Sequence, residues 1–484
     1  MPKRPPADLP YDGGMKDNVS RTPRAANAVP HPRIVLLATS LGVLIAQVDT
    51  SVVSLAVKRI GADLGSTVSA MQWMIDAYNL AYASLLLTGG ALGDLFGRRR
   101  VFFWGVVLFA LGSIACALAP DTATLLAGRA LSGIGAALEL PMSLVLLTAA
   151  YPEPRARQHA LGIWASCNGL AFIIGPSVGG LLVDRVGWRS IFYLILPLCA
   201  AVLVLARSMR EERANEGGRE LDVAGQAAGI AALGGLAFAA IEGAHLGWTS
   251  PATLAAALLA VVGAIAFVLV ERGNARGLVP FALFTSRPFG ASLAVAGLMT
   301  FGMYALLFLM PLYFQVVLGG SPLDAGLRLL PLSVAFVAVS QASGRIVHAL
   351  GFRVTMTAGM AAMGAGELLC SVAGAHTPYA LAAAALVVVG VGLGLNTAPV
   401  NNVAVAHAPA ARSGTASGLL NTARMVGATL GIAILGAAFA HFAGQSGGAA
   451  RFPEGLRAAL GLGGLMELAG AVVAAAFVPR ELPR

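Results

Sequence analysis

The sequence predicts an all-α integral membrane protein that crosses the bilayer about fourteen times. Of its 484 residues, 57% are hydrophobic and only 11% are charged, which leaves too little polar surface for a soluble protein of this length. Apolar runs of about 18 residues or more recur from Ile34 to Val478, and each is long enough to cross the hydrocarbon core. No large soluble domain fits between these runs.

The charges predict how these spans are oriented. Of the 32 Lys and Arg residues, 23 fall on the side of the termini and 7 on the opposite side. Since cytoplasmic loops carry the excess of Lys and Arg, we expect both termini in the cytoplasm, and the net charge of +9 indicates no nucleic-acid partner. The predicted spans are 33–57, 71–93, 101–119, 123–148, 159–183, 189–208, 222–243, 252–271, 289–317, 324–348, 354–374, 379–404, 412–440 and 456–478.

Two polar linkers, at 207–222 and 271–287, separate the spans into groups of six, two and six. The N-terminal stretch is Pro-rich and lacks the apolar segment and cleavage site of a secretory signal, which predicts a disordered tail. The predicted divisions are a cytoplasmic tail at 1–32, a six-helix bundle at 33–208, a linker with two extra helices at 209–288, a second six-helix bundle at 289–478 and a cytoplasmic tail at 479–484.

Two sequence features recur at nearly the same offset. Gly90–Arg99 follows the second span and returns in weaker form as Gly344–Arg353 after the tenth, while Gly175 in the fifth span corresponds to Gly431 in the thirteenth. The chain has 59 glycines, so chance similarity is the alternative. The shared offset favours two pseudo-symmetric halves around a midplane site, as in many secondary transporters.

The short loop after the second span carries the clearest motif. The motif begins at Gly90; Gly93 and Gly97 allow close backbone approach, and Asp94 can pair with a nearby arginine or cap a helix. With the run of arginines that begins at Arg98, this loop resembles the signature of the major facilitator superfamily. The resemblance implies a fold of two six-helix bundles in which Asp94 and Arg98 latch the halves in one conformation. Leu95 departs from the pattern, which often has arginine there.

Further motifs resemble subgroups of that superfamily. Gly175, Pro176, Gly179 and Gly180 in the fifth span resemble its antiporter motif; Pro176 removes a backbone hydrogen bond, and the glycines permit tight helix contact. The segments that resemble the fourteen-span drug:proton antiporters of the EmrB/QacA type are Asp49–Thr50, Gln72–Trp73 with Tyr78, and Gly418–Gly427.

Three ionisable residues lie at similar depth in the outer half of neighbouring spans. At a rise of about 1.5 Å per residue, Asp49, Asp76 and Arg129 fall at comparable distances from the outer ends of spans one, two and four. A carboxylate beside an arginine in a pocket that alternately hydrates and dries could bind and release a proton. A static ion pair that only orients the helices is the alternative.

Other polar residues within spans are candidates for a substrate cavity. Central carboxylates suit a cationic substrate or a proton, and aromatic rings with amides suit flat amphipathic molecules. Hydrogen bonding between neighbouring helices is the alternative for each. The candidates are Glu139, Asn168, Tyr304, Gln315, Glu367, Asn396, Asn421, Arg424 and Glu467.

These observations predict a monomeric, proton-coupled exporter of small hydrophobic or amphipathic compounds in a bacterial cytoplasmic membrane, with lipid as its surroundings. No phosphate-binding lysine loop is present, so the proton gradient is the expected energy source and no cofactor is expected. The four cysteines have no CxxC spacing and the chain has no HExxH motif, so neither a metal site nor an enzyme is predicted. An exporter or importer of one metabolite is the alternative; a membrane enzyme or sensor is more remote.

Overall fold

The computed structural model describes residues 32–211, 222–273, 281–409, 413–444 and 450–482, and within these ranges the regular structure is helical. Most of the predicted N-terminal tail and the last two residues of the predicted C-terminal tail lie outside these ranges. The helices are α1 Pro32–Asp63, α2 Val68–Phe96, α3 Arg98–Ala117, α4 Thr122–Ala150, α5 Pro154–Ile174, α6 Gly180–Arg185, α7 Arg189–Arg207, α8 Val223–Leu246, α9 Pro251–Gly273, α10 Arg287–Val316, α11 Pro322–Ser371, α12 Tyr379–Ala406, α13 Ser413–Ala443 and α14 Phe452–Phe477.

Side-chain caps fix where several of these helices begin. The side chains of Thr67, Asp121 and Ser321 each accept a hydrogen bond from the backbone N–H three residues further on, at 3.2, 2.8 and 3.2 Å. Such caps satisfy donors that the first turn of a helix leaves unpaired. The helices α5 and α6 are continuous through a π-helical turn at Gly175–Gly179.

In the described part of the chain, twelve helices are long and apolar enough to cross a membrane. By length and composition alone, the predicted count of fourteen is therefore not supported. Two features account for the difference between fourteen predicted spans and twelve apolar helices. The helix α2 is 29 residues long but carries the buried polar side chains of Gln72, Asp76 and Asn79, and the 50-residue helix α11 breaks at Gly351, where φ is 81° and ψ is 164°.

The helices pack as two groups. In the first, α4 packs on α2 and α3, and α1 packs on α5 and α7; in the second, α11 packs on α12 and α14, and α10 packs on α13. The same close contact occurs in both groups: Gly133 of α4 lies against the backbone of Tyr78, and Gly390 of α12 lies against the backbone of Leu332. A side chain at either glycine would overlap a neighbouring helix, so small residues set this spacing.

The helices α8 and α9 form a hairpin beside α2 and α13. Ile241 on α8 packs with Ala433 on α13. Glu242 accepts hydrogen bonds from the Ser69 hydroxyl and the Trp73 indole of α2, at 2.7 and 2.8 Å. One face of the hairpin is thus anchored to both groups of helices, while α9 exposes most of its apolar side chains.

Candidate functional site

A buried ion pair joins α1 to α4. Arg129 Nη1 lies 2.5 Å from Asp49 Oδ2, and the two side chains are only 1% and 2% exposed. Arg129 Nε also donates to the carbonyl oxygen of Met74 at 2.9 Å, and the guanidinium lies 4.6 Å from the centroid of the Tyr78 ring. Because an isolated charge is costly inside a membrane, the pair and its two further contacts explain how this arginine is held there.

Asp76 does not join this pair. It lies two residues beyond Met74 on α2, and positions two apart on a helix point in nearly opposite directions. Its carboxyl group faces α13, where the Thr429 hydroxyl is its polar neighbour. The structure therefore brings together two of the three residues predicted for proton coupling and places Asp76 on another face of α2.

Glu139 lies inside the first group of helices. Its side chain is fully buried, and its carboxyl group lies against Gly42 of α1. Asn396 holds a related position in the second group, where its amide donates to the carbonyl oxygen of Gly392 at 3.0 Å and lies against Gly359. Neither residue is exposed to a cavity, although both were predicted to line one.

Glu367 of α11 and Glu467 of α14 form a buried acidic pair. A Cβ atom built on Gly302 of α10 would lie 2.6 Å from Glu367 Oε1 and 2.5 Å from Glu467 Oε1, so these oxygens are about 5 Å apart at most. Both side chains are fully buried, and neither has a hydrogen-bond partner among the described residues. They too lie within a helix bundle.

Arg424 of α13 lies where the two groups of helices meet. Its Nη2 donates to the carbonyl oxygen of Thr397 at 3.1 Å, and its Nη1 lies 3.4 Å from Asn421 Oδ1. Tyr82 of α2 and Tyr304 of α10 are its electrostatic neighbours. Arg424, Asn421 and Tyr304 are all partly exposed. Of the residues predicted for a substrate cavity, these three gather at one place.

Gln315 lies at the end of the molecule where α1 terminates, here called the Asp63 end. Its amide donates to the carbonyl oxygen of Leu55 at 3.1 Å, and its own carbonyl accepts from Lys58 Nζ at 2.5 Å. Gln315 therefore joins α10 to α1 and does not adjoin the Arg424 group. Lys58, which the sequence analysis did not select, completes this contact. The side chain of Asn168 lies outside the described part of the structure.

The predicted antiporter motif occupies the π-helical turn and the start of α6. Gly175 and Gly179 pack on the side chains of Ser51 and Val52 of α1, while Gly180 packs on the backbone of α11. The carbonyl oxygen of Pro176 faces Gly326, also on α11. The motif thus contacts both groups of helices near the Asp63 end.

The predicted latch lies at the opposite end, where α2 turns into α3. Gly97 has φ of 100°, a conformation that favours glycine, and its N–H donates to the carbonyl oxygen of Gly93 at 3.1 Å. Asp94 Oδ1 lies 3.8 Å from Arg98 Nη2. Glu211, after α7, lies against Gly97 and was not anticipated. Around Gly90 the space is open.

The sequence and structure comparisons agree with this architecture. The Major Facilitator Superfamily model matches residues 39–227 and 221–432. Multidrug resistance protein Stp of Mycobacterium tuberculosis is 38% identical over 407 residues, which are 84% of this chain and 76% of that protein. The methylenomycin A resistance protein of Streptomyces coelicolor is 36% identical, covering 84% of each chain. The tetracenomycin C resistance and export protein of Streptomyces glaucescens is 33% identical over 88% of this chain and 79% of that one.

Solved structures add support for the fold. The crystal structure of a D-xylose–proton symporter superposes with a TM-score of 0.66 at 16% identity, covering 93% of this chain and 98% of the symporter. The peptide transporter POT in complex with sulfate gives 0.67 at 18% identity, with 92% and 94% covered. At such identities the likeness concerns the fold alone. Together with the family match over most of the chain, it shows that this multi-pass membrane protein belongs to the major facilitator superfamily.

Proposed function

We propose that this chain exports small hydrophobic or amphipathic compounds, antibiotics among them, across the bacterial cytoplasmic membrane in exchange for protons. The relatives named for multidrug, methylenomycin A and tetracenomycin C resistance support drug export. The buried pair of Asp49 and Arg129 is the observation that supports proton coupling. The chain works as a monomer, with the proton gradient as its energy source and without a cofactor.

The topology that goes with this function is fourteen crossings arranged as six, two and six. The break at Gly351 divides α11 into two parts of about 20 residues or more, each long enough to span the bilayer, and α2 is long enough as well. Counting α2 and both parts of α11 increases the number of membrane-spanning helices from twelve to fourteen, which is the number in the EmrB/QacA subgroup. The recurring glycine contacts support two related bundles, and the positive-inside rule places both termini in the cytoplasm.

In this topology, the Asp63 end faces outward and is closed. Lys58 and Gln315 join α1 to α10 there, and the antiporter motif packs on both bundles. Asp49 lies on α1 about 9 Å from Leu55, at the rise of an α-helix. Protonation of Asp49 would cancel its charge and release Arg129 from the pair, so the proton acts on the same helix that forms the outer contact.

The experiment that tests this proposal is a drug-susceptibility panel in an efflux-deficient bacterium that expresses the wild type or Asp49→Asn. We expect the wild type to raise the inhibitory concentration of several unrelated antibiotics and Asp49→Asn to abolish that effect at equal expression. In everted vesicles energised by a pH gradient, the same substitution should abolish drug-dependent proton release. Full export by Asp49→Asn would refute proton coupling at this residue, and protection against one compound only would favour a specific exporter.

A further inference from the structure

Arg424 carries a positive charge that no acidic residue of the described chain neutralises. Its guanidinium is held by the carbonyl oxygen of Thr397 and more weakly by Asn421, while its Nε has no hydrogen-bond partner among the described residues. No carboxylate within the described ranges lies within ion-pair distance of it. Arg129, in contrast, is paired with Asp49.

An unpaired arginine inside a membrane protein needs water or a ligand to offset its charge, because a guanidinium does not give up its proton. Arg424 is partly exposed, and it lies on α13, which packs on α2 of the first group of helices and on α10 of the second. Its own backbone is held in place, since the Thr300 hydroxyl of α10 donates to the Arg424 carbonyl oxygen at 2.6 Å. The charge is therefore both positioned and accessible.

Two tyrosines interact electrostatically with this guanidinium. Tyr82 belongs to the first group of helices and Tyr304 to the second, and the electrostatic interactions of each include Arg424. Tyrosine rings offer apolar faces to a flat molecule and a hydroxyl group at the edge. A ligand bound here would contact both halves of the transporter.

The three glutamates predicted for the substrate cavity lie away from Arg424. Glu139, Glu367 and Glu467 are all fully buried inside the two groups of helices, and each lies against glycines of its own group. Within the described ranges, no carboxylate therefore forms an ion pair with the partly exposed Arg424, and the local charge there favours an anion over a cation.

We propose that Arg424 binds the anionic group of the exported compound, with its aromatic ring beside Tyr82 and Tyr304. The substrate class is then flat, amphipathic organic anions, such as aromatic carboxylates. A guanidinium holds a carboxylate through two parallel hydrogen bonds, from Nη2 together with either Nε or Nη1. Nη1 is only weakly bound, and the buried Nε has no hydrogen-bond partner among the described residues. This inference rests on the proposed export function and specifies its substrates.

The test compares 2-naphthoate with 2-naphthamide, which share a ring system and differ in charge. Binding of each to the purified full-length protein in detergent micelles is measured by isothermal titration calorimetry. We expect the wild type to bind naphthoate at least about tenfold more tightly than naphthamide, since hydrogen bonds between charged groups are the stronger ones. Arg424→Gln should remove that preference by weakening the binding of naphthoate far more than that of naphthamide, whereas Arg345→Gln, the same change at an exposed position, should retain it.

Three results would overturn the proposal: no measurable naphthoate binding, equal affinity for the two probes in the wild type, or a preference that survives in Arg424→Gln. If Arg424→Gln does not fold, Arg424→Lys decides the question. Its ammonium cannot form the two parallel hydrogen bonds, so naphthoate should weaken severalfold while naphthamide is unaffected, and unchanged binding of both probes would refute the site.

Failure of this inference can be separated from failure of the proposed export function. Proton-driven export of ethidium, a cation, without binding of naphthoate would contradict the anion site and leave the antiporter intact. Selective naphthoate binding in a chain whose Asp49→Asn variant still exports drugs would contradict proton coupling at Asp49 and leave the anion site intact.

Discussion

The pair of Asp49 and Arg129 predicts an asymmetric response to the loss of either charge. Asp49→Asn leaves the Arg129 guanidinium charged and buried, because arginine does not deprotonate in proteins. Arg129→Gln leaves a carboxyl group that can take up a proton and become neutral. We therefore expect Asp49→Asn to destabilise the protein more than Arg129→Gln does.

The size of the effect follows from the contacts that remain. Removing one partner of a buried ion pair typically costs about 3–5 kcal/mol. In Asp49→Asn, the guanidinium keeps its hydrogen bond to Met74 and its place over the Tyr78 ring, and a cation–π contact is worth up to about 2 kcal/mol when desolvated. The loss should therefore lie near 3 kcal/mol, at the lower end of the range.

The assay is equilibrium unfolding in mixed micelles of increasing dodecyl sulfate content, followed by tryptophan fluorescence. The double variant Asp49→Asn/Arg129→Gln removes both charges, so its loss should fall short of the sum of the two single losses by about 0.5–3 kcal/mol, the usual coupling between residues in contact. Arg345→Gln, at an exposed position, is the control. Additive losses in the double variant, or equal losses in the two single variants, would refute the reasoning.

Three further predictions concern other contacts. Gly302→Ala should lower the free energy of unfolding by about 1–3 kcal/mol through overpacking, since the added Cβ would meet the oxygens of the buried acidic pair. Gly290→Ala lies on the same helix where the space is open, so it should cause no such loss. Unfolding in micelles measures both variants. Lys58→Met removes the bond to the Gln315 carbonyl oxygen and should increase labelling of cysteines introduced at the Asp63 end, measured with a membrane-impermeant maleimide. Hydrogen bonds from the backbone lower the pKa of Asp121. The ionised carboxylate therefore stabilises the fold above the pKa of the unfolded chain, and this stabilisation is lost as the pH falls through the pKa of the folded protein. Asp121→Asn should retain the cap but remove this part of the acid dependence of the free energy of unfolding.

Hydropathy and helix geometry account for much of what the sequence predicts. The membrane class follows from apolar runs, whose lengths the hydrocarbon thickness sets. The contact of Asp49 with Arg129 follows from depth, because both lie a similar distance from the ends of their spans. The predicted spans at 324–348 and 354–374 likewise flank Gly351, where α11 breaks.

Depth alone does not say which way a side chain points. Asp76 lies at nearly the same depth as Asp49 and yet faces α13. The direction of its side chain depends on its angular position around α2 and on the rotation of α2 about its own axis. The buried acidic residues pose the same difficulty, since hydropathy cannot distinguish a carboxylate in a cavity from one between helices. A usable signal exists for Glu367 and Glu467: Gly302 and Gly463 lie against Glu367, Gly302 also lies against Glu467, and glycines at intramembrane positions indicate close packing.

The two faces of α2 connect the Asp49–Arg129 pair with the second group of helices. On one face, the Met74 carbonyl oxygen accepts from Arg129; on another, Gln72 and Asp76 lie against α13 at Gly436 and Thr429. Because α2 is one continuous helix, it contacts Arg129 and α13 at the same time. Since α13 carries Arg424, α2 and α13 link the Asp49–Arg129 pair to the proposed anion site through direct contacts.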